Sequence, residues 1–196
     1  MLKIIVRYLG FNTDVGFLRI KQQYVSNTFW LSSFYIHSFS AIFTLFAGFT
    51  QFSNQLRSNH IKLHKVFGKI YVYTVLFLTA PTGLVLGIYA NGHLPSKIGF
   101  CLLAVLWFIF TLKAVQHIKR GHITKHRAFM IRSYALALSA ITLRIWKFGL
   151  ANTIEPDPMD LYQLVTWLGF IPNLLIAEWI VYRLDSNPSD LTKKNS

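Results

Sequence analysis

The sequence predicts an all-α, polytopic transmembrane bundle of five spans. Three observations carry that reading. Hydrophobic residues make up 53% of the 196-residue chain and charged residues only 14%, where a soluble domain carries about 25% charged. The charges gather in short connections and leave long apolar windows between them. Five of those windows reach the length of about 18 apolar residues that marks a bilayer span.

Residues 1–25 hold Lys3, Arg7, Arg19 and Lys21 among Gly10, Asn12, Asp14 and Gly16. So broken a segment cannot span, and it reads as an interfacial amphipathic piece. It has no signal-peptide core or cleavage site. The transmembrane domain is expected over residues 26–184, with spans at about 29–52, 66–90, 98–118, 129–151 and 161–182. In the second span Pro81 and Gly83 predict a kink, and Gly87 a close helix contact. Pro172 predicts a kink in the fifth, and Pro156 with Pro158 a stiff connection before it. Residues 185–196 are polar and are expected to form a disordered tail. Trp30, Tyr35, Tyr89, Trp146 and Tyr162 fall at one membrane face, as an aromatic belt would. Cys101 is the single cysteine and lies inside a span. It predicts a small buried side chain and excludes an intrachain disulfide.

The net charge is +13. In such a chain a basic excess is expected to meet anionic lipid headgroups rather than nucleic acid. The first connection carries Arg57, Lys62 and Lys65, and the third Lys119, Arg120, Lys125 and Arg127. The second carries Lys97 alone, while the fourth holds Glu155, Asp157 and Asp160 with no base. The tail brings Arg183, Lys193 and Lys194. Connections one and three and the C-terminus are therefore expected on the cytoplasmic side. Five spans then put the basic N-terminal segment outside. An upstream helix would restore an even count.

The chain also repeats itself. Arg57-Ser-Asn-His60-Ile-Lys-Leu-His64-Lys65-Val-Phe67 resembles Arg120-Gly-His122-Ile-Thr-Lys-His126-Arg127-Ala-Phe129, with His60/His122, His64/His126 and Phe67/Phe129 each 62 residues apart. Each copy introduces an apolar run, so a duplicated two-helix hairpin is expected. Ionisable residues inside spans default to functional candidates. His37 and Arg144 share a depth of about 10 Å below the outer surface, at 1.5 Å rise per residue. Arg132 and Glu178 match in depth at the inner end. They read either as an ion pair or as an anchor for an acidic group. Lys147 is placed to snorkel. His60, His93, His117 and His122 are expected to be solvated.

Three functions fit these residues. The first is a b-type haem or quinone-linked redox protein. His64 and His126 would be the iron ligands, Arg132 or Arg127 would hold the propionates, and His37 with Arg144 would form a second, outer site. A redox partner would follow. The second is a small transporter, channel or assembly factor, with His37, Arg144, Arg132 and Glu178 along a polar path. Five helices are few for that task, so a homo-oligomer is expected. The third is a histidine-box metal enzyme built from His60/His64 and His122/His126, whose i,i+4 spacing puts both imidazoles on one helix face. Two pairs are too few for such a box, and Ile61 and Ile123 stand where a zinc protease has glutamate. His60 and His122 are accordingly the weaker ligands.

Several segments resemble the bacterial predicted-membrane-protein family known as domain of unknown function 2306. They are Phe34-Tyr-Ile-His37, His64-Lys-Val-Phe-Gly68-Lys-Ile-Tyr71, Tyr89-Ala-Asn-Gly92, His126-Arg-Ala-Phe-Met130-Ile-Arg132-Ser-Tyr134 and Ser139-Ala-Ile-Thr-Leu-Arg144. The resemblance covers roughly residues 17–183. It implies a multi-helix protein of the bacterial inner membrane, often with one more N-terminal helix. The family pattern takes in His37, His64 and His126 but not His60 or His122.

Overall fold

The computed structural model describes residues 6–153 and 157–186. Expectations for Lys3, Glu155, Pro156, Lys193, Lys194 and most of the tail lie outside the described residues. Five helices are long and apolar enough to cross a membrane: α1 (Thr28–Gln51), α2 (Ile61–Ile88), α3 (His93–Lys119), α4 (Ile123–Thr153) and α5 (Pro158–Ser186). Among the described residues there is no strand. Successive helices pack as neighbours, and α4 lies against α1, α3 and α5.

Helices α2, α3 and α4 begin five or six residues ahead of their apolar windows. Apolar runs mark what the bilayer tolerates, whereas a helix continues into water wherever its backbone bonds are satisfied. His64 and His126 therefore sit in the first turns of α2 and α4, not in connections. Side chains cap three helical starts in the expected way. Asn27 Oδ1 accepts from Trp30 N at 3.1 Å to open α1. Ser53 Oγ accepts from Leu56 N to open the turn Asn54–Asn59. Asp157 Oδ1 accepts from Met159 N at 2.8 Å to open α5.

The disruption expected at Pro81 takes a specific form: Thr74–Thr79 is π-helical. Proline supplies no N–H, so the preceding turn widens rather than leave its carbonyls in the ordinary ladder. Glycines then set the helix separations. A Cβ on Gly87 would meet the backbone N and the Sγ of Cys101 at 3.1 Å, which is the close contact expected there. A Cβ on Gly48 would stand 2.4 Å from the Tyr134 ring and 2.9 Å from the Tyr71 ring.

Before α1, the turns Gly16–Arg19 and Gln22–Val25 fold onto the bundle end where α2 finishes. Tyr8 and Leu18 bury against Trp30 and Phe34. Trp30 is consequently 1% exposed, which corrects its place in a lipid-facing belt: the arm covers it, stacked beside Phe34 and tilted against Tyr24. Lys21 is 2% exposed. Its ammonium donates to the Tyr89 carbonyl and lies 5.0 Å from the Tyr24 ring centre. Burial, with a smaller push from Lys97, brings its pKa down to about 8.

Two outcomes follow. Gly48→Ala should cost about 1–3 kcal/mol by overpacking, read as a lower unfolding midpoint in detergent. For Lys21, both folded and unfolded chains are protonated below pH 8, so the arm bears the burial cost of the charge. Between pH 8 and 10.5 the folded state loses its proton first, and arm docking tightens as pH rises. Amide exchange across residues 6–26, corrected for intrinsic rate, should show that rise in wild type. Lys21→Met should abolish it.

Candidate functional site

The repeat that introduces α2 and α4 continues into the bundle. Seven residues after His64 comes Tyr71, and seven after His126 comes Ser133. These two positions are again 62 apart, and they touch: Tyr71 Oη lies 2.8 Å from Ser133 Oγ. Trp107 Nε1 donates to Tyr71 Oη at 3.2 Å. Thr111 Oγ1 lies 2.7 Å from Ser133 Oγ and 2.7 Å from the Trp107 carbonyl.

Proton bookkeeping sets the directions. A carbonyl only accepts, so the single Thr111 hydroxyl proton goes to Trp107 O. Ser133 must then donate to Thr111, and Tyr71 to Ser133. The result is a closed circuit that leaves the Trp107 indole and returns to the Trp107 carbonyl, joining α2, α3 and α4. All four residues are buried. Tyr134, one position beyond Ser133, makes a separate tie: its hydroxyl donates to Leu45 O on α1 at 3.1 Å. Its ring lies over the space left by Gly48 and 5.1 Å from Phe52.

His37 and His126 share one arrangement. His126 Nδ1 lies 2.8 Å from the Ala114 carbonyl of α3. His37 Nδ1 lies 2.9 Å from the Thr79 carbonyl, at the end of the π-helical segment. Because the partner is a carbonyl, Nδ1 carries a proton in each ring, and in the neutral imidazole Nε2 then keeps its lone pair. Each Nε2 is thereby a Lewis base of fixed orientation, the state in which imidazole ligates a metal or takes a proton. Gly83 makes the first arrangement possible, since a Cβ there would stand 3.0 Å from His37 Cε1. Thr79 Oγ1 donates to Ser40 Oγ at 3.0 Å and Ser40 to the His37 carbonyl, which closes a second small network between α1 and α2.

His64 lies half-buried on α2. Gln51 of α1 reaches into that turn; with its amide oriented to pair both ends, it donates to the His64 carbonyl and accepts from Gly68 N, both at 3.2 Å. His64 and His126 therefore begin two helices that meet seven residues later, about 10 Å further along each axis. Their register matches even though the contact itself lies at Tyr71 and Ser133.

The remaining candidates separate into different corners. Arg132 forms a two-pronged pair with Glu178, Nε to Oε1 at 2.6 Å and Nη2 to Oε2 at 2.7 Å, so the depth match between α4 and α5 is a real contact. Arg144 donates to the Ala140 carbonyl of its own helix, and its charge acts on the His37 ring. His60 and His122 are exposed. Among the described residues, no three His, Cys, Asp or Glu side chains gather as a metal cluster, so the four repeat histidines do not form one box. His117 departs from the solvated expectation: its ring stacks on Phe129 at 5.3 Å and 11°.

A model of the family described as "Predicted membrane protein (DUF2306)" matches residues 34–181. The chain belongs to this family. No curated protein and no solved structure matches it. The stretch shared with the DUF2306 family runs from Phe34 on α1 to Val181 on α5 and contains both hydrogen-bond networks, His64 and His126. The arm lies ahead of it.

Tyr71→Phe should open the circuit, leaving the Trp107 N–H without its acceptor and Ser133 without its donor. The expected cost is about 1–3 kcal/mol, seen as a lower unfolding midpoint. Phe at the exposed Tyr73 should leave the midpoint unchanged.

Proposed function

We propose that this multi-pass membrane protein binds a redox cofactor of the b-haem type, which the Nε2 atoms of His64 and His126 would hold through its iron. The observation that carries the reading is the His126 Nδ1 bond to the Ala114 carbonyl. A ligating imidazole needs its second nitrogen tied down in this way, because the tie selects the tautomer and strengthens the ligand. The common register of His64 and His126, set by the Tyr71–Ser133 contact, supports a paired arrangement. A haem held there would supply one-electron chemistry. The chain's own contributions are ligand orientation at His126, the basic surroundings that favour acidic propionates, and the circuit that holds α2 against α4.

Arg132 or Arg127 would hold the propionates, and Arg132 already gives two N–H groups to Glu178. His37 and Arg144 form the outer polar site. We place the protein in a bacterial inner membrane, with the histidine-repeat end and C-terminus cytoplasmic, in line with the basic connections. A redox partner would dock at one face, and a homo-oligomer is compatible with this arrangement.

A second reading rests on the His37–Thr79–Ser40 network. Its hydroxyls and the unprotonated His37 Nε2 lie inside a span, where such groups serve proton or solute paths.

The deciding measurement is the absorption spectrum of detergent-purified protein, oxidised and then dithionite-reduced. A Soret band with sharp α and β bands on reduction is expected. His64→Ala and His126→Ala should each lose it, while His60→Ala and His122→Ala should keep it. A featureless spectrum after haem-supplemented expression would refute the haem reading and leave the polar path, tested by proton flux in vesicles with His37→Ala.

A further inference from the structure

The ends of α3, α4 and α5 enclose a cleft of about 370 Å³ beside Phe129. His117, Lys125, Arg132 and Asp185 line it, with Thr124 at its rim. It is separate from the Ala114-facing side of His126. Three features mark it as built for an anion.

First, cations crowd one aromatic ring. Lys113 Nζ stands 5.5 Å and Arg132 Cζ 5.2 Å from the Phe129 centre, on a ring already stacked with His117. Lys125, Arg120 and Lys113 all act electrostatically on His117. Among the described residues the nearby carboxylates are Glu178, which Arg132 occupies, and Asp185. Positive charge therefore remains in excess. Second, His117 adds an imidazole to the cleft wall, a polar ring able to donate a hydrogen bond to an anion. Third, the cleft opens on the first turn of α4, where the helix presents its positive end.

A phosphate suits this setting: oxygens for the imidazole, charge for Lys125 and for the edge of Arg132 that Glu178 does not occupy, and a size that the cleft accepts. The cleft lies at the junction of the apolar spans and the basic connections, where phospholipid headgroups lie. We infer that this cleft binds a phosphate group, carried either by an anionic lipid headgroup or by a soluble phosphate. The inference is independent of the histidine-ligand reading.

The test is calorimetric titration of the purified full chain in nonionic detergent, with three probes: short-chain phosphatidylglycerol, short-chain phosphatidylcholine and inorganic phosphate. Saturable binding of phosphatidylglycerol alone assigns the site to lipid. Equal binding of phosphatidylglycerol and inorganic phosphate assigns it to the phosphate group from any source. In both cases Lys125→Gln and His117→Gln should weaken binding about tenfold, and Asp185→Asn should tighten it, a gain that an unfolded variant cannot imitate. The inference is overturned if neither anionic probe binds saturably, if phosphatidylcholine binds as well as phosphatidylglycerol, or if the three variants titrate like wild type.

Discussion

The closed circuit of Trp107, Tyr71, Ser133 and Thr111 is the constraint from which the rest of the bundle takes its register. In a bilayer the lipid tails are as apolar as a leucine core, so burial alone does not choose how helices rotate or slide against each other. Hydrogen bonds between side chains do. Each is worth about 1 kcal/mol in that setting, but this one joins three helices and leaves no proton unspent. Sliding α2 by one residue against α4 would break the Tyr71–Ser133 bond and move His64 out of register with His126. The depth at which any pair of imidazoles can cooperate is thus decided about two turns away from them.

Close approach makes the circuit possible. Gly48 admits the Tyr134 and Tyr71 rings, and Gly87 brings α2 against the backbone of α3. The π-helical segment before Pro81 has a matching role at the other end. It places the Thr79 carbonyl where His37 reaches it, so one irregularity of the backbone becomes the anchor of an intramembrane histidine. The same tautomer results at His37 and His126 from different local causes. One uses a widened turn, and the other a regular carbonyl near the end of α3.

Charge is handled differently at the two ends. At the arm end, a single buried lysine is held by a carbonyl and an aromatic face. At the histidine-repeat end, Arg132 and Glu178 neutralise each other while Lys113, Arg120 and Lys125 stay in excess around His117. That asymmetry separates a helix-to-helix clamp from a surface that attracts anions, although both lie within a few turns of α4 and α5.

The five spans were legible in the sequence because apolar length is a one-dimensional property, and the bilayer enforces it whatever the tertiary contacts. The Arg132–Glu178 pair was legible too, since matched depths and opposite charges leave few alternatives inside a membrane. The repeat pointed to His64 and His126, but Ser133, 62 residues beyond Tyr71, looked like an ordinary small residue beside the more conspicuous Tyr134. The folded arm over Trp30, the stacked His117 and the circuit at Trp107 depend on which faces meet. Helical spacing does not report that, because a membrane helix is apolar all round and its sequence lacks the polar stripe that would reveal its rotation. Length, span number and the candidate histidines were thus determined by composition along the chain. Rotation, register and the tautomers of His37 and His126 were decided only when the helices packed, because each depends on a carbonyl or hydroxyl contributed by another helix.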